Sequence, residues 1–89
     1  MIYEWDENKR AANLAKQGVD FAIFGAFEWD TARIKADTRK DYGESRYTAL
    51  GYIGARLHAL VFTPRAGRIR VIGLRKANPR EVKRYETQA

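Results

Sequence analysis

The sequence predicts an α+β domain, with most helices early in the chain and a meandering sheet in its second half. Three observations carry this prediction. Short segments with helix-capping residues come first, four segments with strand-like patterning follow, and a strongly capped helix closes the chain. Because 89 residues suffice for one domain, we expect the range 1–89 to fold as a single unit.

The first third of the chain predicts a short strand and two helices. Residues 2–5 alternate between apolar and polar side chains and are typical of a strand at a sheet edge. Asp6 suits the N-cap of a helix that ends before Gly18, where a left-handed residue is expected. Asp20 is a second N-cap candidate. The phenylalanines and isoleucine of residues 21–27 then recur at helical spacing, which indicates core packing.

The remaining residues predict four strands in an antiparallel meander and one helix. Gly54-Ala55 suits a two-residue hairpin, and Pro64–Gly67 suits a second turn. The apolar run 69–74 predicts a central position for the last strand. Residues 78–81, Asn-Pro-Arg-Glu, have the pattern of a capping box and predict a helix reaching Tyr85 or beyond. The predicted strands are Ala32–Asp37, Arg46–Ile53, Arg56–Thr63 and Arg68–Arg75, with residues 38–45 as a loop.

Charge is divided unevenly between the two halves of the chain. Residues 1–44 carry seven Lys/Arg and nine Asp/Glu, a net charge of −2, whereas residues 45–89 carry ten and two, a net charge of +8. The cations of the second half lie within predicted strands and a helix, so folding would arrange them as a shaped cationic surface. Such a surface favours an acidic partner, with nucleic acid the leading candidate. The alternative is a solvated face that keeps the protein soluble.

Composition excludes several other kinds of site. The chain has no cysteine, which excludes disulfides and cysteine-based zinc sites. Its one histidine, His58, cannot form a histidine-rich metal site and is expected to be a partly buried structural residue. The longest apolar run, 21–27, is too short to span a membrane, and no signal-peptide pattern begins the chain. We therefore expect a cytoplasmic protein without a cofactor.

Two groups of residues could carry chemistry. The segment 37–46 packs Asp37, Arg39, Asp41, Glu44 and Arg46 around a turn. The second group consists of Arg65 in a hairpin turn, Arg75 and Lys76 at the end of a strand, and Tyr85 on the last helix. Turns and strand ends are where a scaffold displays functional side chains. Arg65 and Arg75 bracket one strand, so they could line opposite ends of a groove.

Three motifs of the chain resemble the BrnT family. They are Trp5-Asp6-x-x-Lys9-x-x-x-Asn13-x-x-Lys16-x-Gly18-Val19-x-Phe21, then Asp41-Tyr42-Gly43-Glu44-x-Arg46, then Arg70-x-Ile72-x-x-Arg75-Lys76-Ala77 with Glu81 and Tyr85. The resemblance implies a type II toxin with a RelE-like fold that cleaves RNA and blocks translation. It also implies a BrnA-like antitoxin with a ribbon-helix-helix domain, operator DNA bound through the complex, and a dimer or 2:2 heterotetramer.

The hypothesis for the mechanism is metal-independent cleavage with the ribose 2′-hydroxyl as internal nucleophile. Such a reaction needs a group to take the hydroxyl proton and cations to bear the developing phosphate charge. Arginine suits the second task because its planar fork can hold two phosphate oxygens. The assigned catalytic residues are Glu44 as base, Arg65 and Arg75 on the phosphate and Lys76 on the RNA backbone. The assigned RNA-binding residues are Arg46, Arg70 and Tyr85.

Each of these residues also has a purely structural interpretation. Glu44 and Arg46 could be an exposed ion pair of a turn, worth under about 1 kcal/mol. Arg75 and Lys76 could cap the end of a strand or helix, and Tyr85 is more readily a core residue than a catalyst. A magnesium site built on the two aspartates of the 37–46 segment is disfavoured, because such sites gather carboxylates from several elements.

Two other functions fit the same cationic half. A non-catalytic RNA- or DNA-binding module asks nothing of Glu44, and its affinity would decline gradually as any cation is removed. An enzyme would instead lose its rate sharply at one or two positions. A third interpretation is an interaction domain whose basic face only holds an acidic segment of an antitoxin.

Overall fold

The chain forms a five-stranded sheet with helices on both faces, in a computed structural model that describes residues 2–88. The predicted domain 1–89 therefore has its two terminal residues outside the described range. In chain order the elements are β1 (Ile2–Glu4), α1 (Glu7–Gln17), a 3₁₀ helix (Phe21–Ala26), β2 (Phe27–Ala36), β3 (Tyr47–Ile53), β4 (Arg56–Arg65), β5 (Arg68–Lys76) and α2 (Pro79–Thr87).

The strands lie in the order β1-β5-β4-β3-β2. Strands β2 to β5 form the predicted antiparallel meander, and β1 adds to β5 in parallel, so the sheet is mixed. The α+β class is confirmed, and β5 is internal as its apolar run predicts. The helical part differs in detail from the expected pair of N-terminal helices. The first strand and the first α-helix are present as predicted, but the second helical segment is a six-residue 3₁₀ helix.

Local capping interactions start and end the helices. The carboxylate of Asp6 accepts from the backbone N–H groups of residues 8 and 9, and Gly18 ends α1 with a φ of 71°. Asp20 caps the 3₁₀ helix by accepting from residue 22. Asn78 and Glu81 exchange side-chain and backbone hydrogen bonds in a complete capping box. These interactions satisfy N–H groups that a helix start leaves unpaired, which is why sequence alone predicts them.

The edge strand β2 begins at Phe27, five residues before the predicted start at Ala32. Its pairing with β3 is irregular between Glu28 and Arg33. Within this irregularity the Thr31 hydroxyl donates to the carbonyl of Glu28 at 2.6 Å and accepts from the N–H of Tyr52 at 3.0 Å. The prediction of a later start was wrong because a bulge interrupts the two-residue alternation by which a strand is recognised.

The turn between β4 and β5 is tighter than predicted. Pro64 does not begin the turn but lies within β4 opposite Ile69. Ala66 and Gly67 occupy the two turn positions, both with positive φ, at 47° and 78°. Positive φ at both positions belongs to a type I′ turn, whose twist matches that of the flanking strands. The strand pairing therefore continues to Arg65 and Arg68.

The sheet has a buried cluster on each face. Alternation along β3 and β4 sends Ala49 and Leu60 to one face and Leu50 and Ala59 to the other. The first face packs against the segment that carries α1 and the 3₁₀ helix, through side chains that include Val19, Phe21 and Phe24. The second face packs against Val82 and Tyr85 of α2. Within residues 2–88, every helix is too short or too polar to span a bilayer.

Candidate active site

The face of the sheet that packs against α2 also carries three of the predicted site arginines. Cross-strand partners point to the same side of a sheet, as do residues two apart along a strand. Ala59 is buried near α2 and is paired with Arg75, and Thr63, further along β4, is paired with Arg70. Arg65 lies two residues beyond Thr63. All three arginines therefore point to this side, which we call the α2 face.

Glu44 and Arg65 form an ion pair where β4 turns into β5. One carboxylate oxygen, Oε2 of Glu44, accepts from Nε of Arg65 at 3.2 Å and from Nη2 at 3.0 Å. The other oxygen, Oε1, accepts no hydrogen bond from the part of the chain that the structure describes. The Glu44 side chain is 28% exposed and that of Arg65 48%. The pair therefore keeps Oε1 and the Nη1 group available to a ligand.

Arg75 is held by Glu81 of α2 in a two-point ion pair. Its Nη1 donates to Oε1 at 2.7 Å and its Nη2 to Oε2 at 2.9 Å. Oε1 also accepts from the N–H of Asn78 at 3.0 Å, so both carboxylate oxygens are occupied. The hydrogen bonds between the two side chains lower the pKa of Glu81 and raise the pKa of Arg75. The Nε–H edge of Arg75 has no partner within residues 2–88.

A cleft of about 340 Å³ opens beside this pair, between α2 and the edge strand β2. Asp37 lines it with a side chain that is only 3% exposed. Both oxygens of this carboxylate are occupied, because Arg39 binds them at 2.9 Å each and the Tyr42 hydroxyl donates to Oδ2 at 3.2 Å. The hydrogen bonds from Arg39 hold the pKa of Asp37 well below its usual range. The cations that line the cleft are Lys35, Arg39, Arg75 and Arg84.

A further ion pair on the α2 face joins the two neighbouring strands β1 and β5. Arg70 donates to Oε2 of Glu4 at 2.7 Å, and Arg68 lies 3.6 Å from Oε1 of the same carboxylate. The hydrogen bond from Arg70 is the main cause of the lowered pKa of Glu4. Arg70 is therefore committed to Glu4, and both oxygens of that carboxylate face an arginine.

Arg65 and Arg75 lie at opposite ends of the α2 face. Arg75 is paired with Ala59, six residues before Arg65 on β4. At the rise of an antiparallel strand, the backbone positions of the two arginines are about 20 Å apart. Each guanidinium is tied to its own carboxylate at its own end. One phosphate does not reach both arginines in this arrangement, so a bound polynucleotide would have to span them.

Comparison with known proteins assigns this chain to a family. A family model described as "Ribonuclease toxin, BrnT, of type II toxin-antitoxin system" matches residues 5–81. This chain belongs to the BrnT family. Its structure is similar to the crystal structure of the Brucella abortus ribonuclease toxin BrnT, with a TM-score of 0.68 and 34% sequence identity over 88% of this chain and 99% of that chain. A search of the curated proteins finds no match.

Membership of the BrnT family confirms the resemblance seen in the sequence motifs. The family comprises ribonuclease toxins of type II toxin–antitoxin systems, so RNA is the substrate class and an antitoxin is the expected type of partner. The matched segment contains the Glu44–Arg65 and Arg75–Glu81 pairs, whereas Tyr85 lies beyond it.

The central BrnT motif forms a compact turn that presents Glu44. Asp41 accepts from the N–H of Gly43 at 2.9 Å, and Gly43 has a φ of 72°, which favours glycine at this position. The guanidinium carbon of Arg46 lies 4.0 Å from the centroid of the Tyr42 ring, an attractive cation–π arrangement. Arg46 Nε is buried and has no hydrogen-bond partner within residues 2–88. The stacked side chains of Tyr42 and Arg46, which flank Glu44 in the chain, therefore support the turn.

Lys76 and Tyr85 do not join the cleft beside Arg75. Residues alternate along β5, and Lys76 is paired with His58, so its side chain points to the face opposite that of Arg75. Tyr85 packs edge-to-face on Tyr52 with ring centroids 5.6 Å apart. Its hydroxyl donates to the carbonyl of Thr31 at 2.6 Å. The Tyr85 hydroxyl is thus engaged with the backbone of β2.

His58 lies in β4 and is more deeply buried than the partly buried structural histidine that the sequence predicts. It is 4% exposed, and its Nδ1 lies 2.9 Å from the carbonyl oxygen of Arg56. Among residues 2–88, no group of three or more His, Asp or Glu side chains has an arrangement that could hold a metal ion.

Several residues that line the cleft have no marker in the sequence motifs. Lys35 and Arg84 lie outside the motifs, although Lys35 lies on the polar side of a predicted strand. Its partner across the sheet, Thr48, shares that side. Glu81 was recognised as a capping residue but not as the partner of Arg75. Strand alternation could have placed Lys35 on a shared face, whereas no sequence signal pairs Glu81 with Arg75 rather than with solvent.

Proposed function

We propose that this chain is an endoribonuclease that cleaves RNA without a metal ion, through attack by the ribose 2′-hydroxyl, and that the Glu44–Arg65 pair carries the chemistry. One observation supports this choice above the others. Of the four carboxylates paired with an arginine on the α2 face or beside its cleft, Glu44 alone combines a place in the central BrnT motif with an oxygen that accepts no hydrogen bond from a described residue. Both oxygens of Asp37 and both oxygens of Glu81 accept hydrogen bonds. Oε1 of Glu4 accepts none from residues 2–88 but lies 3.6 Å from Nη1 of Arg68, and Glu4 lies outside the central motif.

The proposed reaction uses the two available groups of this pair together. Oε1 of Glu44 takes the proton of the 2′-hydroxyl while the 2′-oxygen attacks phosphorus and the bond from phosphorus to the 5′-oxygen breaks. The leaving 5′-oxygen takes a proton from water, and the product is a 2′,3′-cyclic phosphate. Arg65 Nη1 donates to a phosphate oxygen as negative charge develops on it. The ion pair orients both groups before RNA binds, which lowers the entropic cost of reaching the transition state.

The other site residues are proposed to bind the RNA rather than to react with it. Arg75 would grip a backbone phosphate about 20 Å from the reacting one, through the Nε–H edge that Glu81 leaves open. Arg46 would support the reacting phosphate beside Glu44. Arg70 and Tyr85 are proposed to contribute weaker contacts at the margins of the α2 face, since the Arg70 side chain is bound to Glu4 and the Tyr85 hydroxyl to the Thr31 carbonyl. Lys76 has no role in this proposal, because its side chain points to the opposite face.

The decisive experiment compares Glu44→Gln with Asp41→Asn, a matched loss of one carboxylate in the same turn. Cleavage of labelled RNA is followed in excess EDTA and, in parallel, on translating ribosomes. We expect Glu44→Gln to lower kcat by roughly 10²- to 10⁴-fold with little change in KM, because a general base contributes in that range. Asp41→Asn should retain the wild-type rate. Equal loss in both variants, or full activity in Glu44→Gln, would remove Glu44 from the mechanism.

Arg75→Gln completes this experiment by testing whether Arg75 binds RNA without taking part in the chemical step. A group that binds the backbone equally in ground and transition states raises KM when removed and leaves kcat nearly unchanged. We expect that pattern for Arg75→Gln and a lowered kcat for Arg65→Gln. Cleavage abolished by EDTA would reject the metal-independent mechanism. RNA binding without cleavage in any assay would instead favour a non-catalytic binding module.

Family membership also supports proposals for the partners, the stoichiometry, the cellular location and the fold kinship of this protein. We propose a BrnA-like ribbon-helix-helix antitoxin, binding of operator DNA through the toxin–antitoxin complex, and a 2:2 heterotetramer or a dimer. A cytoplasmic location and kinship with the RelE-type fold belong to the same proposal. Co-expression with a BrnA-like antitoxin, followed by measurement of the mass of the purified complex, tests the partner and the stoichiometry together.

A further inference from the structure

A second cleft of about 190 Å³ continues the first one along α2. The two clefts share three residues, Lys35 on β2, Thr48 on β3 and Arg84 on α2. Arg33 lies at the far end of the second cleft, two residues from Lys35 along the edge strand. Together the clefts form one continuous passage between α2 and β2, which we call the α2–β2 groove.

Among the described residues, the second cleft, which forms the far part of the α2–β2 groove, is lined by cations and by no anion, unlike the rest of the α2 face. Arg33, Lys35 and Arg84 line it together with uncharged residues, and no carboxylate lines it. None of these three side chains forms an ion pair with any residue in the range 2–88. Arg75 is the main cause of the lowered pKa of Glu81 and Arg84 contributes to it, but the Glu81 carboxylate is bound to Arg75. The groove cations therefore repel one another, and a bound polyanion removes that repulsion while releasing its own counterions.

Arg33 is held in place by groups that do not neutralise it. Its guanidinium carbon lies 4.6 Å from the centroid of the Tyr85 ring, and its Nη1 donates to the carbonyl oxygen of Gln88. A ring face and a carbonyl fix the orientation of the guanidinium and leave its full positive charge. The remaining N–H groups of Arg33 are therefore oriented before a ligand arrives, which reduces the entropy lost on binding.

We infer that the α2–β2 groove is a binding site for the backbone phosphates of single-stranded RNA that flanks the cleaved nucleotide. This inference rests on the proposed function, because it takes RNA as the occupant of the α2 face. An RNA strand with its reacting phosphate at the Glu44–Arg65 pair would pass Arg75 and continue between Lys35 and Arg84 toward Arg33. Binding through phosphates confers affinity without sequence preference, and it favours long substrates over short ones.

The test compares two double variants that remove the same charge from opposite faces of the sheet. Lys35→Gln/Arg84→Gln removes two groove cations, and the control Lys9→Gln/Lys16→Gln removes two exposed cations of α1. Binding is measured by fluorescence anisotropy with 2′-O-methyl RNA, which cannot be cleaved through the 2′-oxygen. The probes are a strand of about 12 nucleotides, within the range that such grooves accommodate, and a dinucleotide.

We expect the groove variant to bind the long strand roughly tenfold more weakly at 0.1 M salt, with a salt slope lower by about 1.4 for two lost phosphate contacts. Its affinity for the dinucleotide and the affinities of the control variant should match the wild type. Equal weakening in both double variants would overturn the inference, since it would reflect net charge alone. An unchanged RNA affinity with weakened antitoxin binding would also overturn it and would assign the groove to an acidic protein segment.

The two proposals fail in different ways. Binding of uncleavable RNA does not depend on Glu44, so a groove variant with weakened binding keeps the inference even if Glu44→Gln remains active. In the opposite case, unchanged RNA binding in the groove variant together with loss of cleavage in Glu44→Gln would retain the proposed active site and reject the groove.

Discussion

The carboxylate of Glu81 binds both terminal nitrogens of Arg75 and, in addition, accepts from the backbone N–H of Asn78. Asn78 Oδ1 in turn accepts from the N–H of Glu81 at 2.8 Å. The first turn of α2 and the orientation of Arg75 are therefore coupled through a single side chain. The two roles of Glu81 can be separated, because glutamine can replace glutamate in a capping box but cannot provide its charge.

We predict that Glu81→Gln weakens RNA binding through the loss of Arg75 orientation. The neutral amide cannot hold the guanidinium in a charged two-point pair. KM for RNA should rise roughly tenfold at nearly constant kcat, and the free energy of unfolding should fall by about 1 kcal/mol. Steady-state kinetics and urea denaturation measure the two effects. The control is Asn78→Ala, which should cost about 1 kcal/mol of stability and leave KM unchanged. A similar KM in both variants would contradict a positioning role.

Asn13→Ala is predicted to destabilise the fold by about 2–3 kcal/mol. Its amide donates to the carbonyl oxygens of Val19 and Leu74, at 2.9 and 2.7 Å, and its Oδ1 accepts from the N–H of Leu74 at 3.3 Å. The short strand β1 pairs with β5 only as far as Arg70, so Asn13 satisfies backbone groups that β1 does not reach. Urea denaturation measures the loss. Asn8→Ala, an exposed substitution in the same helix, should change stability by under about 0.5 kcal/mol, and an equal loss there would refute the explanation.

Tyr85→Phe is predicted to lower stability by about 1 kcal/mol and to leave the cleavage rate unchanged. The substitution removes the hydrogen bond to the Thr31 carbonyl and keeps the ring that supports Arg33 and Tyr52. Thermal unfolding and kcat on the same RNA substrate check both parts. A tenfold or larger fall in kcat in a variant of unchanged stability would instead support a proton-donor role for the hydroxyl.

Asp37 makes the stability of the fold depend on acid pH. Its pKa is lowered from an ordinary value of 3.8 by the hydrogen bonds from Arg39, so the carboxylate favours folding when ionised. A depressed pKa contributes stability that is present above the unfolded value and is lost as the pH falls toward the folded value. We predict that the free energy of unfolding of the wild type falls as the pH drops below about 4. Asp37→Asn should start lower and lose less over the same range in urea denaturation at each pH, and parallel curves would contradict this assignment.

The sequence predicted those features that depend on neighbours within a few residues. Asp6, Asp20 and Asn78 cap helices as expected, because a capping side chain needs only the N–H groups two or three positions ahead. The start of β2 and the turn at Ala66 were predicted wrongly, because neither feature has a clear signal in the neighbouring residues. A bulge breaks the local alternation, and a positive φ at alanine has no marker in the residue type.

The candidate site was predicted as a set of residues and not as an arrangement. Sequence motifs identified Glu44 and Arg75 and their family, and the predicted hairpin turn identified Arg65; the family assignment is confirmed. The spacing of Arg65 and Arg75 along the chain suggested opposite ends of one groove, whereas the carboxylate partner of each arginine had no marker in the sequence. The roles of these residues remain predictions that the variants above test.

The sequence by itself determined the α+β class, the caps of the helices, the cationic second half and the BrnT motifs, since each is encoded in composition or in short-range spacing. The tertiary structure alone decided which arginine meets which carboxylate. The Glu4–Arg70 pair spans 66 positions and the Glu44–Arg65 pair spans 21. Contacts of such separation depend on strand register and on which face each side chain takes. A shift of one residue along a strand would reverse that face. Only the folded sheet therefore brings Arg65 to one oxygen of Glu44 and leaves the other without a hydrogen bond from a described residue.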